Sequence, residues 1–321
     1  VYDINRGADG RLYVSDYGAR EIWRIDPATS AYARYQGVGS AIDARPDFAG
    51  NIWWTDAATF FGRLDPATGA LTTWDLGEDR NLWGLAFDEA GRVWMSEWFG
   101  SGSQIHSFDP MTHELCSYTL PGGTYGYYIL YDSGYLWLIN WFGDQIVRFQ
   151  PASGGLLRWS IGAPSAMPQG LALDGDGHLW WADGSGELSR LDPDSNQRTR
   201  YPLPDGAGSA AVMIEARGQR IWYTEIDSGT VGALDPARAS GAISTLATVS
   251  GSVKPTCSNL GTGTTAQATT LSGTLSWASA TVTPNVQADG WEVYRLAASA
   301  EPYDLVGGDG LLWVTDQGRQ K

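Results

Sequence analysis

Seven short phrases in this chain end on an oxygen-bearing side chain. Leu12-Tyr13-Val14-Ser15-Asp16 returns as Ile52-Trp53-Trp54-Thr55-Asp56, and the same final position then holds Glu97, Asn140, Asp183, Glu225 and Asp316. Hard divalent cations such as Mg²⁺ or Ca²⁺ take oxygen ligands, and carboxylates supply them. A second set stands 12 to 14 residues ahead of each phrase end: Tyr2, Ile42, Trp83, Tyr128, Gln169, Ala211 and Tyr303, with Tyr127 in place of Tyr128 if the register shifts by one. Aromatic faces suit sugars, planar rings or organic cations. The competing reading is structural: an acid at a strand end often only bonds the amides of the following turn, and a repeated Trp usually packs.

The phrases recur at steps of 40, 41, 43, 43 and 42 residues, then 91. A period of about 40–45 residues with several short strands per unit is the signature of a β-propeller blade. Each unit opens on an apolar strand such as Leu85-Ala86-Phe87, turns at a Gly-containing segment such as Asp88-Glu89-Ala90-Gly91, and enters the Trp-bearing strand. A third strand ends in Asp-Pro at residues 26, 65, 109, 192 and 235, with Gln150-Pro151 as the variant. Pro pre-sets a turn there and Asp can bond the backbone two residues on. A fourth strand such as Ala70-Leu71-Thr72-Thr73-Trp74 closes the unit. The first two strands form an antiparallel hairpin, so the opening of the first lies beside the end of the second. The two candidate sets therefore share one face of each blade.

The pattern predicts an all-β, seven-bladed propeller of four-stranded antiparallel blades in a single domain over 1–321. The last blade is incomplete, stopping after its second strand. The long final step predicts an insertion at 237–290, rich in Thr, Ser, Ala and Gly, with Asp289 its only acid. It is expected to form a β-hairpin in blade six, with Trp291 to Leu296 returning as that blade's outer strand; the alternative is an eighth blade.

A formal charge of −15 argues against binding nucleic acid by phosphate neutralisation. No run approaches the roughly 18 apolar residues of a membrane span. The chain opens without Met, directly on a strand, as expected of a processed or trimmed product. Cys116 and Cys257 are too few for a disulfide scaffold, and a bridge between them would require the insertion to reach blade three. Scarce Lys and abundant Thr, Ser and Trp lean towards an extracellular, cell-surface or periplasmic location.

The Gly-x-Leu-Trp-x-Thr-Asp/Glu phrases, the third strands ending like Arg24-Ile25-Asp26-Pro27, and the opening Pro168-Gln169-Gly170-Leu171 together resemble the virginiamycin B lyase, or streptogramin lyase, family. The resemblance implies a seven-bladed propeller that opens a cyclic depsipeptide by elimination, using Mg²⁺ and a His base. It places the base in a Pro-His phrase two residues after a metal-binding Glu, and a second metal carboxylate at the end of the next strand. Here that phrase reads Glu301-Pro302-Tyr303-Asp304-Leu305. Glu301 and Asp316 match the metal carboxylates, Tyr303 stands at the base position, and Tyr2 matches a family Tyr opening blade one. The three His are His106, His113 and His178, and none opens a first strand. A Tyr of ordinary pKa near 10 is a poor base at neutral pH.

Three functions remain in view. The first is a propeller that binds a small-molecule or glycan-like ligand through Trp83, Tyr128 and Gln169, or a protein partner through the 250–290 hairpin, without lyase chemistry. The second is a metal-dependent C–O lyase or lactone-opening enzyme, with Glu301 and Asp316 on Mg²⁺ or Ca²⁺ and Tyr303 or Tyr2 assisting. The third is a structural subunit.

Overall fold

The computed structural model describes residues 2–77, 80–98, 103–123, 126–162, 168–206, 211–226, 228–275, 284–296, 302–308 and 311–316. Every regular element among them is a β-strand. The strands form six sheets of five and one sheet of two. This corrects the blade count: six complete blades form, not seven or eight, and the last phrase contributes only the pair Pro302–Gly308 and Leu311–Asp316. Contacts group the chain into two compact units. One holds 1–138, 148–156 and 251–278 and carries blades one to three; the other holds 139–147, 157–250 and 279–321 and carries blades five and six and the two-stranded sheet. The strands of blade four are divided between them.

In blades one, two, three and five the inner hairpin is locked by one carboxylate. In blade two, Asp47 accepts from the amides of Ala49 and Asn51, both at 2.9 Å, which closes the turn with Gly50 in the left-handed region (φ 87°). Its second oxygen accepts from Trp53 Nε1 at 2.9 Å. Asp88 repeats this on Trp94 (2.9 Å) and Asp174 on Trp180 (2.7 Å), while in blade one Asp9 takes the Tyr13 hydroxyl at 2.9 Å. The turn and the buried indole of the next strand are thus fixed together, which explains why Asp, Gly and Trp recur at constant spacing.

The Asp-Pro turns behave as expected. Asp65 accepts from the Ala67 and Thr68 amides and the Thr68 hydroxyl, and Asp192 from the Asp194 and Ser195 amides and the Ser195 hydroxyl. The hydroxyl contact and the amides hold both carboxyls below their ordinary range.

The insertion is where the structure departs furthest from the expectation. It is neither a hairpin in blade six nor a further blade. Ala242–Thr245, Ala247–Ser252, Pro255–Asn259, Thr264–Gln267 and Thr269–Thr274 add a fifth strand to blades five, four, three, two and one in turn. Blades therefore have five strands, not four. The hairpin expected to meet a partner at 250–290 spends its inner edges on this pairing, while residues 276–283 lie outside the described residues. Only Trp291–Arg295 follows the expectation, as the fourth strand of blade six, with Val286–Ala288 beyond it.

Between these strands the segment is pinned by one repeated bond. The amides of Leu246, Val253, Leu260, Ala268 and Leu275 donate to the carbonyls of Asn196, Gly154, His113, Gly69 and Ser30. Each acceptor is the left-handed residue that ends an Asp-Pro or Gln-Pro turn, with φ between 59° and 75°. Four of the donors are half-buried and Ala268 is buried, whereas nearly every residue between them is exposed. Cys257 pairs directly with Cys116 across this seam, and the two form a disulfide.

Asp88→Ala removes four bonds at a buried carboxylate and leaves Trp94 Nε1 inside without an acceptor. It is expected to cost about 2–4 kcal/mol, and clearly more than Asp26→Ala at an exposed turn. Urea denaturation of both variants measures the contrast; equal losses would remove the carboxylate–indole bond from its central place.

Candidate functional site

In blades one and two the hydroxyl of the repeated phrase positions the opening of the following blade. Ser15 Oγ donates to the Ile42 carbonyl at 2.5 Å and Thr55 Oγ1 to the Trp83 carbonyl at 2.6 Å. Each bond ties the second strand of one blade to the opening of the next, setting where the opening side chain emerges. Hydroxyls at this phrase position also brace their own hairpins: Ser15, Ser96, Thr224 and Thr315 accept from the Asp3, Gly84, Met213 and Asp304 amides at 3.1, 3.2, 3.3 and 2.9 Å.

In the first unit these openings gather aromatic rings. Trp83 meets Tyr2 edge-on at 5.5 Å between centroids, Tyr127 near-parallel at 5.6 Å and Trp98 at 4.3 Å. Trp98 also meets Tyr127 at 5.3 Å, and the Tyr2 and Tyr127 hydroxyls lie 3.4 Å apart. Trp83 and Tyr127 are buried and form the back of the cluster; Tyr2, Trp98 and Tyr128 are half-buried and form its front. The ring against Trp83 is therefore Tyr127, with Tyr128 reaching the cluster through Tyr127 at 5.6 Å. Trp98 was not singled out from the sequence. Its signal is an aromatic immediately after the phrase end, as in Asp16-Tyr17, Glu97-Trp98 and Asn140-Trp141.

The described phrase-ending side chains bond the turns and strands that follow them. Asp16 accepts from the Ala19 amide at 3.0 Å, and Asp56 from those of Ala58 and Phe60 at 2.9 and 3.0 Å. Asn140 accepts from Gly143, and Glu225 from the Ser228 hydroxyl. Glu97, fully buried, accepts from the Gln104 amide at 3.1 Å and bonds His106 Nε2 at 3.0 Å, while His106 Nδ1 meets Ser117 Oγ at 2.8 Å. The following turn or strand absorbs each described acid, as the structural reading expects. His178 sits on Asp174 in its turn, and His113 ends an Asp-Pro turn beside Phe108.

Another polar group gathers at the starts of the first strands of blades one and two. Asp43 is bonded by Arg45 Nε at 2.9 Å and by the Leu85 amide of blade three at 2.9 Å. Asn5 Nδ2 bridges Asp43 and Asp3. Burial pushes Asp43 up to about 7, Arg45 pulls it down and Asp3 adds to the rise. Tyr128 also acts electrostatically on Arg45, which connects this group to the aromatic front. The sequence signal was a polar residue at every second position, Asp3-x-Asn5 and Asp43-x-Arg45, where first strands of the other blades carry apolar residues such as Leu85-Ala86-Phe87.

The family-matched positions lie in the second unit. Glu301 falls outside the described residues. Tyr303 lies in the strand Pro302–Gly308, and Asp316 ends the partner strand opposite Pro302. The backbone thus brings the two strand ends together, and two carboxylates are the donor chemistry of a hard cation. Gln169 opens the first strand of blade five opposite Ala182 and is half-buried. Asp174, Asp176 and His178 also approach one another closely, but both Asp174 oxygens are taken by the Asp176 and His178 amides, the His178 ring and Trp180 Nε1.

Propeller sheets with a site at their strand openings define the class, and comparison defines the family. The virginiamycin B lyase family profile matches residues 1–276, and the chain belongs to that family. Solved structures with the same fold include selenomethionine-substituted virginiamycin B lyase from Staphylococcus aureus, at 18% identity and a TM-score of 0.74 over 98% of this chain and 91% of that one. A streptogramin B lyase structure matches at 18% identity and 0.75 over 98% and 90%. A catalytically inactive histidine-to-alanine variant of the S. aureus lyase with quinupristin matches at 18% and 0.74 over 99% and 92%. A search of curated protein sequences finds no match. No described helix is long and apolar enough to cross a membrane.

Asp43 supplies a pH signature. Its folded pKa lies above the ordinary carboxylate value, so the folded state holds the proton more tightly than the unfolded chain. The resulting stability is complete below about pH 4 and is lost as pH rises through about 7. Wild type should therefore lose stability relative to Asp43→Asn across this window, read as urea midpoints at several pH values. A constant difference would show that Asp43 titrates at an ordinary pKa.

Proposed function

We propose that this chain is an extracytoplasmic propeller that binds a small planar or glycan-like ligand on the face fronted by Tyr2, Trp98 and Tyr128, and that it lacks lyase chemistry. The convergence of three rings on Trp83, with Tyr128 joined through Tyr127, carries the reading: buried Trp83 and Tyr127 hold the half-buried front rings in place, as a preorganised stacking surface requires. The Cys116–Cys257 bridge supports an oxidising compartment. The histidines support the loss of chemistry. In the S. aureus relative a histidine-to-alanine variant is catalytically inactive, whereas here no His opens a first strand and Tyr303 stands at the matched position.

Family membership and the register of Asp316 against Pro302 favour a second reading. It is a metal-dependent lyase or lactone-opening enzyme, with Glu301 and Asp316 holding Mg²⁺ or Ca²⁺. A bound cation there would supply Lewis-acid stabilisation of a developing oxyanion. Tyr303 or Tyr2 would then hold or pass the proton.

Two measurements separate them. Under the proposal, aryl glycosides quench tryptophan fluorescence saturably, Trp98→Ala weakens that binding about tenfold (~1.4 kcal/mol), and a cyclic depsipeptide is not opened. Calorimetric titration of Mg²⁺ and Ca²⁺ into metal-stripped protein, beside Glu301→Ala and Asp316→Ala, addresses the alternative. Metal binding abolished by both substitutions, together with metal-dependent opening of a cyclic ester, would replace the proposal with the lyase reading.

A further inference from the structure

We propose that Cys116–Cys257 is a thiol-exchange latch, and that a dithiol reductant opening it releases residues 253–275 from the outer edges of blades one to three while the four inner strands of each stay folded. The inference is independent of the ligand and the chemistry at the strand openings.

The segment is held weakly except at the disulfide. Pro255–Asn259 and Thr264–Gln267 are exposed at every residue, and Thr269–Thr274 at all but Gly273. Apolar anchoring is confined to half-buried Val253, Leu260 and Leu275 and buried Ala268, one per seven or eight residues. What remains is edge pairing to the fourth strands, one amide bond at each anchor, and a few side-chain bonds across the seam: the Asn259 and Gln267 amides donate to the Thr112 and Thr68 carbonyls, Thr73 Oγ1 to the Thr264 carbonyl, and Trp74 Nε1 to the Gly261 carbonyl at 3.1 Å, an acceptor that water can replace once the segment leaves. Such bonds replace bonds to water and bring little net stability, while ordering each residue costs conformational entropy. A covalent tie shifts that balance by removing the freedom of the long loop it closes; here the cysteines lie 141 residues apart. The chain has no other cysteine, so no second bridge can substitute.

The inner strands do not need the segment in the same way. The cluster between blades two and three is built from Trp53, Phe61, Trp74, Leu85, Met95 and Phe108, all inner-strand or fourth-strand residues, with Leu260 packed only at its margin. The carboxylate–indole locks and the Ser15 and Thr55 ties also lie wholly within the four-stranded bodies.

Access sets the direction of exchange. Cys257 is exposed and Cys116 half-buried. A thiolate of the reductant attacks Cys257 Sγ, the S–S bond breaks, and its electron pair leaves on Cys116 Sγ, which takes up a proton. The second thiol of the reductant then attacks the mixed disulfide and frees Cys257, so the protein gains two thiols and the reductant leaves as a disulfide.

Hydrogen exchange on the full chain tests this, with and without dithiothreitol, the thiols counted by alkylation and mass. Under native conditions two thiols should appear. Exchange across 253–275 should then rise at least tenfold, with no change in Val93–Glu97 or Gln104–Phe108. The Cys116→Ser/Cys257→Ser double variant should match the reduced protein without any reductant. Three results would each overturn the proposal: a bridge that resists dithiothreitol until the protein is denatured, unchanged protection of 253–275 after reduction, or protection lost from the inner strands along with the segment. The double variant separates a failure of access from a failure of release.

Discussion

A carboxylate that closes a turn and holds an indole in the same act is the constraint on which these blades depend. Asp47, Asp88 and Asp174 each spend one oxygen on backbone amides and the other on a buried Trp Nε1. Burying an indole without a partner for its N–H would forfeit part of what burial brings. Supplying that partner from the preceding turn fixes the hairpin length, and the length fixes where each first strand opens. Blade one reaches the same end with Asp9 and a Tyr hydroxyl, so the requirement is a donor at the right depth rather than a particular ring.

The same economy governs the rest of the acid content. A chain of net charge −15 could be read as a collector of cations, yet the described phrase-ending and turn acids are committed to amides and hydroxyls in their own loops. Asp3 and Asp43 differ, because they stand at the start of first strands and answer to Asn5, Arg45 and an amide from another blade. Buried charge needs a partner, and a second acid nearby raises the cost of ionising both. Asp43 is thus drawn towards neutral pH while the exposed turn acids Asp65 and Asp192 are held low.

The repeated phrases made the inner hairpins and the Asp-Pro turns legible, because both rest on side chains that only certain residues supply. The count of blades was less legible. Seven phrases promise seven hairpins, but a complete blade also needs outer strands, and the last phrase has only the pair ending at Asp316. The course of the insertion was hidden for a related reason. Edge pairing is made by backbone, so a fifth strand asks little of its sequence beyond the absence of what would block it. What it does ask for is a small or apolar residue at 246, 253, 260, 268 and 275, a spacing of seven or eight that matches neither strand nor helix period. The aromatic site was half legible: Tyr2 and Trp83 follow from hairpin topology, whereas the choice of Tyr127 over Tyr128 and the entry of Trp98 depend on local register and turn geometry.

These division lines explain how one scaffold can keep its form while its chemistry drifts. In the first three phrases the hydroxyl and the terminal acid carry structural duty: Ser15 and Thr55 tie blades, Ser96 braces its own hairpin, and Asp16, Asp56 and Glu97 cap turns or brace the next strand. A residue opening a first strand is placed by those bonds through its backbone, so its side chain is free of the duty. Ile42, Trp83, Gln169 and Ala211 occupy equivalent openings with no common chemistry. At 18% identity the match to the lyases carries the fold alone, and a change of side chain at one opening, such as position 303, would leave the blade-building bonds described above intact. Conservation of the repeat is therefore silent about activity, which must be argued from the openings themselves.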